Sequence, residues 1–196
     1  MQIKTIAIIG AGTTGRGIAY ASALGGYTTV LEEVSDSMLG EALSWIRESL
    51  HENVQRGNLD ASARDAALAR ITTSQVVDEA IRDAELIIEA VPEELEMKLE
   101  LFTIFDKFAK PNAIFASSTT SLSISDFSDI VLHRERCIGM RFFNPVPKMK
   151  SVEIIRTPYT SDETVAACVS VATRMGKEAV IVNEAPGLSK DPQSKM

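Results

Sequence analysis

Thr5-Ile6-Ala7-Ile8-Ile9 runs directly into Gly10-Ala11-Gly12-Thr13-Thr14-Gly15, and then into Arg16-Gly17-Ile18-Ala19-Tyr20. The first five residues are a short apolar run, the pattern of a strand buried on both faces of a parallel sheet. Beyond Gly15 the pattern turns helical through Ala19, Ala23 and Leu24, and Gly25-Gly26 stops it. A glycine loop between strand and helix has a specific chemical use. Gly10 permits the tight turn, Gly12 lets backbone approach a pyrophosphate, and Gly15 lets helix and strand pack closely. The helix N-terminus then offers unpaired N–H groups and a partial positive charge to phosphates. Ala11, Thr13 and Thr14 complete the candidate cradle.

The next strand, Thr28–Leu31, ends in Glu32-Glu33. Glu33 stands where a carboxylate can accept hydrogen bonds from both ribose hydroxyls of a dinucleotide. With Glu32 beside it, a 2′-phosphate is repelled, so NAD is expected as cofactor rather than NADP. A methyltransferase that binds a nucleoside cofactor is the rival at this point, because its glycine loop and acidic strand end look alike.

The alternation continues to the end of the chain. Ser35 or Asp36 is placed to cap a long helix with the apolar stripe Leu39, Leu43, Ile46, Leu50 and Val54, closed by Gly57. Asp60 starts a shorter helix over Ala66, Leu68 and Ala69. Buried-strand patterns recur at Ile71–Thr73, Leu86–Val91, Ala113–Ser117 and Cys137–Phe142, with a helix over Glu94–Phe108. Val152–Ile155, Asp162–Met175 and Ala179–Val182 form a last strand–helix–strand set. The expected class is α/β, a doubly wound, mostly parallel Rossmann-type sheet with helices on both faces. One such domain over residues 1–187 and a polar tail over 188–196 are expected.

Composition bounds the function. The 196 residues are 45% hydrophobic and 24% charged, enough apolar material for one self-sufficient core. Twenty Lys+Arg against 27 Asp+Glu give a net charge of −7, which argues against a nucleic-acid partner. Cys137 and Cys168 are too few for a disulfide framework, and with only His51 and His133 no metal site is expected. No apolar run reaches the length of a membrane span, and the start of the chain lacks a signal-peptide core, so a cytoplasmic protein without a membrane partner is expected.

Three later segments carry a resemblance. Glu89-Ala90-Val91-Pro92-Glu93 with Lys98, Ala116-Ser117-Ser118-Thr119-Thr120-Ser121-Leu122, and Gly139-Met140-Arg141-Phe142-Phe143-Asn144-Pro145-Val146-Pro147 occur in order behind the glycine loop. With Met149-Lys150, Val152-Glu153 and Ala185-Pro186-Gly187, the set resembles the NAD-binding domain of L-3-hydroxyacyl-CoA dehydrogenases from about residue 3 to residue 187. The resemblance implies hydride transfer between NAD and a 3-hydroxyacyl-CoA/3-oxoacyl-CoA pair. It implies that Gly10–Gly15 and Glu33 hold the adenosine half of NAD, and that Glu93 and Lys98 sit near the nicotinamide ribose. Thr120 stands where the family has a serine that bonds the substrate oxygen, and Asn144 matches an asparagine near cofactor and reacting carbon. Ser49 and Arg56 fall where the family contacts coenzyme A. Glu153 matches the acid that orients the catalytic base.

Two departures follow from the same comparison. The family's base is a histidine immediately before Phe-Phe-Asn-Pro, and here that position is Arg141. A guanidinium cannot accept a proton, so an ion pair with Glu153 is expected in place of an acid–base dyad. The family also continues into a helical domain that supplies dimer contacts, whereas this sequence ends at Met196, with Asp191 near the place of another active-site asparagine. A monomer or weak homodimer is therefore expected. The alternative to an active dehydrogenase is a catalytically impaired NAD-binding module.

Overall fold

The computed structural model describes residues 2–184. Strand β1 (Thr5–Ile9) leads through the glycine loop into helix α1 (Thr13–Leu24), then β2 (Thr28–Glu32), α2 (Asp36–Gln55), α3 (Ala61–Leu68) and β3 (Ile71–Ser74). A one-turn-long α4 (Val77–Ile81), β4 (Leu86–Glu89), α5 (Leu95–Phe108), β5 (Ile114–Ser117) and α6 (Ile124–Ser128) follow. The last elements are β6 (Cys137–Phe142), β7 (Ser151–Arg156), α7 (Asp162–Arg174) and β8 (Glu178–Asn183). All eight strands join one sheet in the order β3-β2-β1-β4-β5-β6-β7-β8. Every neighbouring pair is parallel except β6 with β7.

Alternation along the strands supplies two cores. Ile6, Ile8, Leu31, Ile88, Ile114 and Ala116 face α1, α2 and α7. Ala7, Ile9, Ile87 and Phe115 face α4, α5 and α6, where Phe102 packs on Phe127 with ring centroids 5.1 Å apart. Strand order reverses between β1 and β4, so the carboxyl ends Ile9 and Glu89 flank the crevice where this architecture binds ligands. No helix among the described residues is long and apolar enough to cross a membrane.

Several local expectations are corrected. β4 stops at Glu89 rather than Val91, because the Glu89 carboxylate accepts the Val91 N–H at 2.7 Å and Pro92 has no N–H for a ladder. The cap of α2 is Ser35, whose hydroxyl accepts the Met38 N–H, while Asp36 sits in the first turn. Ala42 replaces Leu43 in the fully buried stripe of that helix. Asp60 precedes α3 without a side-chain cap bond. Helical patterns are expected between these strands, but α4 and α6, five residues each, are too short for a period to set their bounds. The expected polar tail, with Pro186, Gly187 and Asp191, lies outside the described residues.

Candidate cofactor and active site

The glycine loop is built as its spacing demands. Gly10 has φ +100°, and a Cβ there would lie 2.9 Å from the Ala90 carbonyl oxygen. A Cβ on Gly15 would fall 1.7 Å from the Gly10 oxygen, so only glycine lets α1 fold back onto the loop. Gly12 is the opposite case: a Cβ there would meet nothing within 4 Å. The protein thus leaves space over Gly12 while crowding Gly10 and Gly15. Helix α1 begins at Thr13 with no side-chain cap and no acid in its first turn, which leaves its N–H groups for an anion. That combination of open backbone and uncapped helix end fits a pyrophosphate.

Glu33 lies against this loop. One of its oxygens accepts the Ala11 N–H at 3.3 Å and the other the Ser35 N–H at 3.4 Å. Both bonds are long, and they orient the carboxylate beside the loop rather than consume it. Glu33 should make NADH bind at least about thirtyfold tighter than NADPH, roughly 2 kcal/mol of repulsion. Calorimetric titration with the two reduced cofactors checks this; equal affinities would remove Glu33 from the ribose.

Across the crevice, one carboxylate organises a loop. Glu93 Oε1 accepts the Thr119 hydroxyl at 2.5 Å, the Thr120 and Ser121 N–H groups at 2.9 Å each, and the Ser121 hydroxyl at 3.0 Å. The Thr120 hydroxyl lies 3.3 Å from the same oxygen and is exposed to the crevice. Burial pushes the Glu93 carboxyl up, but the Thr119 hydroxyl, the Ser121 N–H, Lys98 and the Thr120 N–H outweigh it and hold the group down to about 2. The carboxylate therefore stays ionised far below neutral pH.

Lys98 reaches this site only through its partners. Its side chain is 1% exposed, with the ammonium 2.7 Å from Glu89 and 3.3 Å from Glu93. Glu89, fully buried, also accepts the Ser117 hydroxyl at 2.5 Å. Glu89, Ser117 and Thr119 are site residues that sequence reasoning did not single out. The available signal was an acid closing an otherwise apolar strand, with a lysine nine residues later on a helix.

The antiparallel register sets Arg141 directly opposite Glu153, and they form the expected ion pair at 2.9 Å. Arg141 Nε also donates to the Thr119 carbonyl at 3.2 Å, which joins β6 to the Glu93-bound loop. Asn144 Nδ2 donates to the Thr14 hydroxyl at 3.0 Å, so the Phe-Phe-Asn-Pro segment meets the glycine loop. Behind it, a Cβ on Gly17 would lie 2.8 Å from Val146 Cβ, a measure of how closely α1 and this segment pack. Ser49 and Arg56 stand apart from these groups. They line a cavity of about 280 Å³ with Trp45, Asn53, Pro147 and Lys148, and Arg56 pairs with Glu52 at 2.9 Å. Among the described residues no group of His, Cys, Asp and Glu could hold a metal ion.

A sequence profile described as 3-hydroxyacyl-CoA dehydrogenase, NAD binding domain, matches residues 5–185. The chain belongs to that family. It is 37% identical over 187 residues to a probable 3-hydroxybutyryl-CoA dehydrogenase of Bacillus subtilis, covering 95% of this chain and 65% of that one. It is 37% identical over 190 residues to the mitochondrial hydroxyacyl-coenzyme A dehydrogenase of Homo sapiens, covering 94% and 60%. The solved (S)-3-hydroxybutyryl-CoA dehydrogenase of Ralstonia eutropha superposes with a TM-score of 0.90 at 36% identity, over 95% of this chain and 65% of that one. The chain thus spans less than two thirds of the length of these relatives. As an NAD-binding domain of this family, it has a glycine loop whose open face over Gly12 fits the cofactor it is built for. The methyltransferase reading is excluded by the family.

Proposed function

We propose that the chain is the cofactor-binding part of an NAD-dependent 3-hydroxyacyl-CoA dehydrogenase, interconverting a 3-hydroxyacyl-CoA and its 3-oxoacyl-CoA. The observation that carries this reading is the Asn144–Thr14 hydrogen bond, which puts the Arg141–Asn144 segment beside the glycine loop. Gly10, Ala11, Gly12, Thr13, Thr14, Gly15 and Glu33 would hold the adenosine side of NAD, with Glu93, Thr120 and Asn144 toward the nicotinamide side. NAD supplies the hydride acceptor or donor. The Thr120 hydroxyl and Arg141 then address the substrate oxygen, and the cavity at Ser49 and Arg56 takes part of the coenzyme A moiety.

Arg141 changes the proton chemistry. Two of the five guanidinium N–H groups are held by Glu153 and the Thr119 carbonyl, and the group has no lone pair with which to accept a hydroxyl proton. It can donate to a carbonyl oxygen and stabilise negative charge that develops there during reduction. Reduction by this route takes its hydride from NADH and its proton from water, and the same stabilisation lowers the barrier in both directions. The same ion pair favours a second reading, an NAD-binding module with impaired catalysis.

Initial rates with acetoacetyl-CoA and NADH, beside NADH binding alone, separate the two readings. They are measured in a chain joined to the family's helical half. Arg141→His should place an imidazole against Glu153 and raise oxidation of 3-hydroxybutyryl-CoA at least about tenfold, within the usual range for acid–base catalysis. A fall in activity would instead make Arg141 a working part of the mechanism.

A further inference from the structure

Glu32 is the last residue of β2, and its side chain is 3% exposed with Oε1 lacking any hydrogen-bond partner. Alternation puts it on the face of Val30, which packs on the cluster beneath α4 and α5. Ile9 pairs with Glu32 on one side and Glu89 on the other, so the backbones of two buried acids stand about 10 Å apart, two strand spacings. Their circumstances differ sharply. Glu89 has Lys98, the Ser117 hydroxyl and the Val91 N–H, whereas among the described residues no cation is paired with Glu32.

The charged groups on the surrounding elements offer it nothing. Asp78 of α4 is paired with Arg82 at 4.0 Å, and Glu79 beside it is another acid. Asp36 of α2 accepts from Gln75, and Lys98 of α5 is committed to Glu89 and Glu93. Arg16 of α1 stacks its guanidinium over the Trp45 ring of α2 at 4.8 Å; neither β1 nor β3 carries a charge, and Glu33 adds a like one. Burial, with the Glu33 charge adding to it, pushes the Glu32 carboxyl up to about 7. The residue is also wired to the cofactor loop. Its carbonyl accepts the Gly10 N–H at 2.9 Å, and its neighbour Glu33 reaches the Ala11 N–H.

We propose that Glu32 is a titrating positioning residue for the cofactor: protonated, it keeps the end of β2 packed and the glycine loop in place, and ionised, it loosens both. The proposal rests on the NAD reading of the loop. Its sign follows from linkage. A carboxyl that binds its proton more tightly in the folded chain lends stability below its ordinary value of 4.5 and withdraws it as pH rises through about 7. NADH affinity should fall over the same upper range.

Titration of the chain with NADH at pH 6, 7 and 8 tests this, beside melting of the cofactor-free chain at the same pH values. The dissociation constant should rise by about fivefold to tenfold between pH 6 and 8, the most that one linked proton titrating near 7 allows over that range. In Glu32→Gln it should change by less than about twofold, and the decline in melting temperature should flatten in parallel. Should that variant not fold, Glu32→Met fills a similar volume without a polar atom. A flat wild-type profile overturns the proposal, as does a slope that survives in the variant. A variant that loses the melting slope and keeps the binding slope also overturns it, since Glu32 would then titrate without positioning. Absence of NADH binding at every pH would bring down the cofactor reading as well; binding without slope brings down this inference alone.

Discussion

Replacing Lys98 by methionine is expected to destabilise the chain by about 3–5 kcal/mol, the usual cost of removing one partner from a buried pair. For a domain of this size that lowers the melting midpoint by roughly 6–20 °C. Methionine keeps the length and most of the volume of the stem, so packing changes little. What is lost is the cation between Glu89, which is fully buried, and Glu93. The Ser117 hydroxyl and Val91 N–H remain, but neither neutralises a charge. Adding Glu89→Gln to Lys98→Met should recover more than half of the loss, because the orphaned charge goes with it. NADH affinity should fall in Lys98→Met and not recover in the double variant, since Glu93 still lacks its ammonium. Calorimetry of the two variants decides the point: an unchanged midpoint in Lys98→Met would mean that the pair contributes nothing net.

The second large effect is at Gly15. Gly15→Ala is expected to weaken NADH binding at least about 100-fold, near 2.7 kcal/mol, and to destabilise the fold by about 3 kcal/mol through overpacking. Its Cβ would lie 1.7 Å from a backbone oxygen, an atom with no rotamer by which to move aside. Relief requires the Gly10 carbonyl to shift by more than an ångström, and with it the turn that φ +100° defines. Gly12→Ala is the internal control. Nothing on the protein side opposes its Cβ, so the melting temperature should hold while binding falls, because the methyl group enters the space over the loop. Melting curves and NADH titrations of both variants provide the four numbers needed. Equal loss of stability in the two would contradict the distinction between a packing glycine and an access glycine.

Much of this architecture is legible in the chain because the short apolar runs of β1, β4 and β5 and the glycine loop are local signals. The mostly parallel sheet with helices on both faces follows once those runs are accepted as strands, while the strand order and the antiparallel β6–β7 pair come from the structure. The opposition of Arg141 and Glu153 was legible too, though through resemblance rather than periodicity. What sequence could not supply is where polar side chains end up once buried. The resemblance puts Lys98 near the nicotinamide ribose, but nothing local in the sequence tells that its ammonium is buried between two carboxylates. Glu32 and Glu33 read as a matched acidic pair, yet one is interior without a partner and the other lies against the loop. The bounds of helices α4 and α6 escape for a different reason: a run of five residues contains too little of a 3.6-residue period to mark where it starts and stops.

The single antiparallel neighbour in the sheet has an evolutionary consequence. Because β6 and β7 run in opposite directions, positions 141 and 153 face each other by backbone register alone, whatever side chains they carry. The two positions work as a socket. A single codon change can exchange a proton acceptor for a permanent cation without disturbing a strand, a turn or the cofactor cradle. A paired library over these two codons would measure how much the chemistry of the position can change while the backbone register stays fixed.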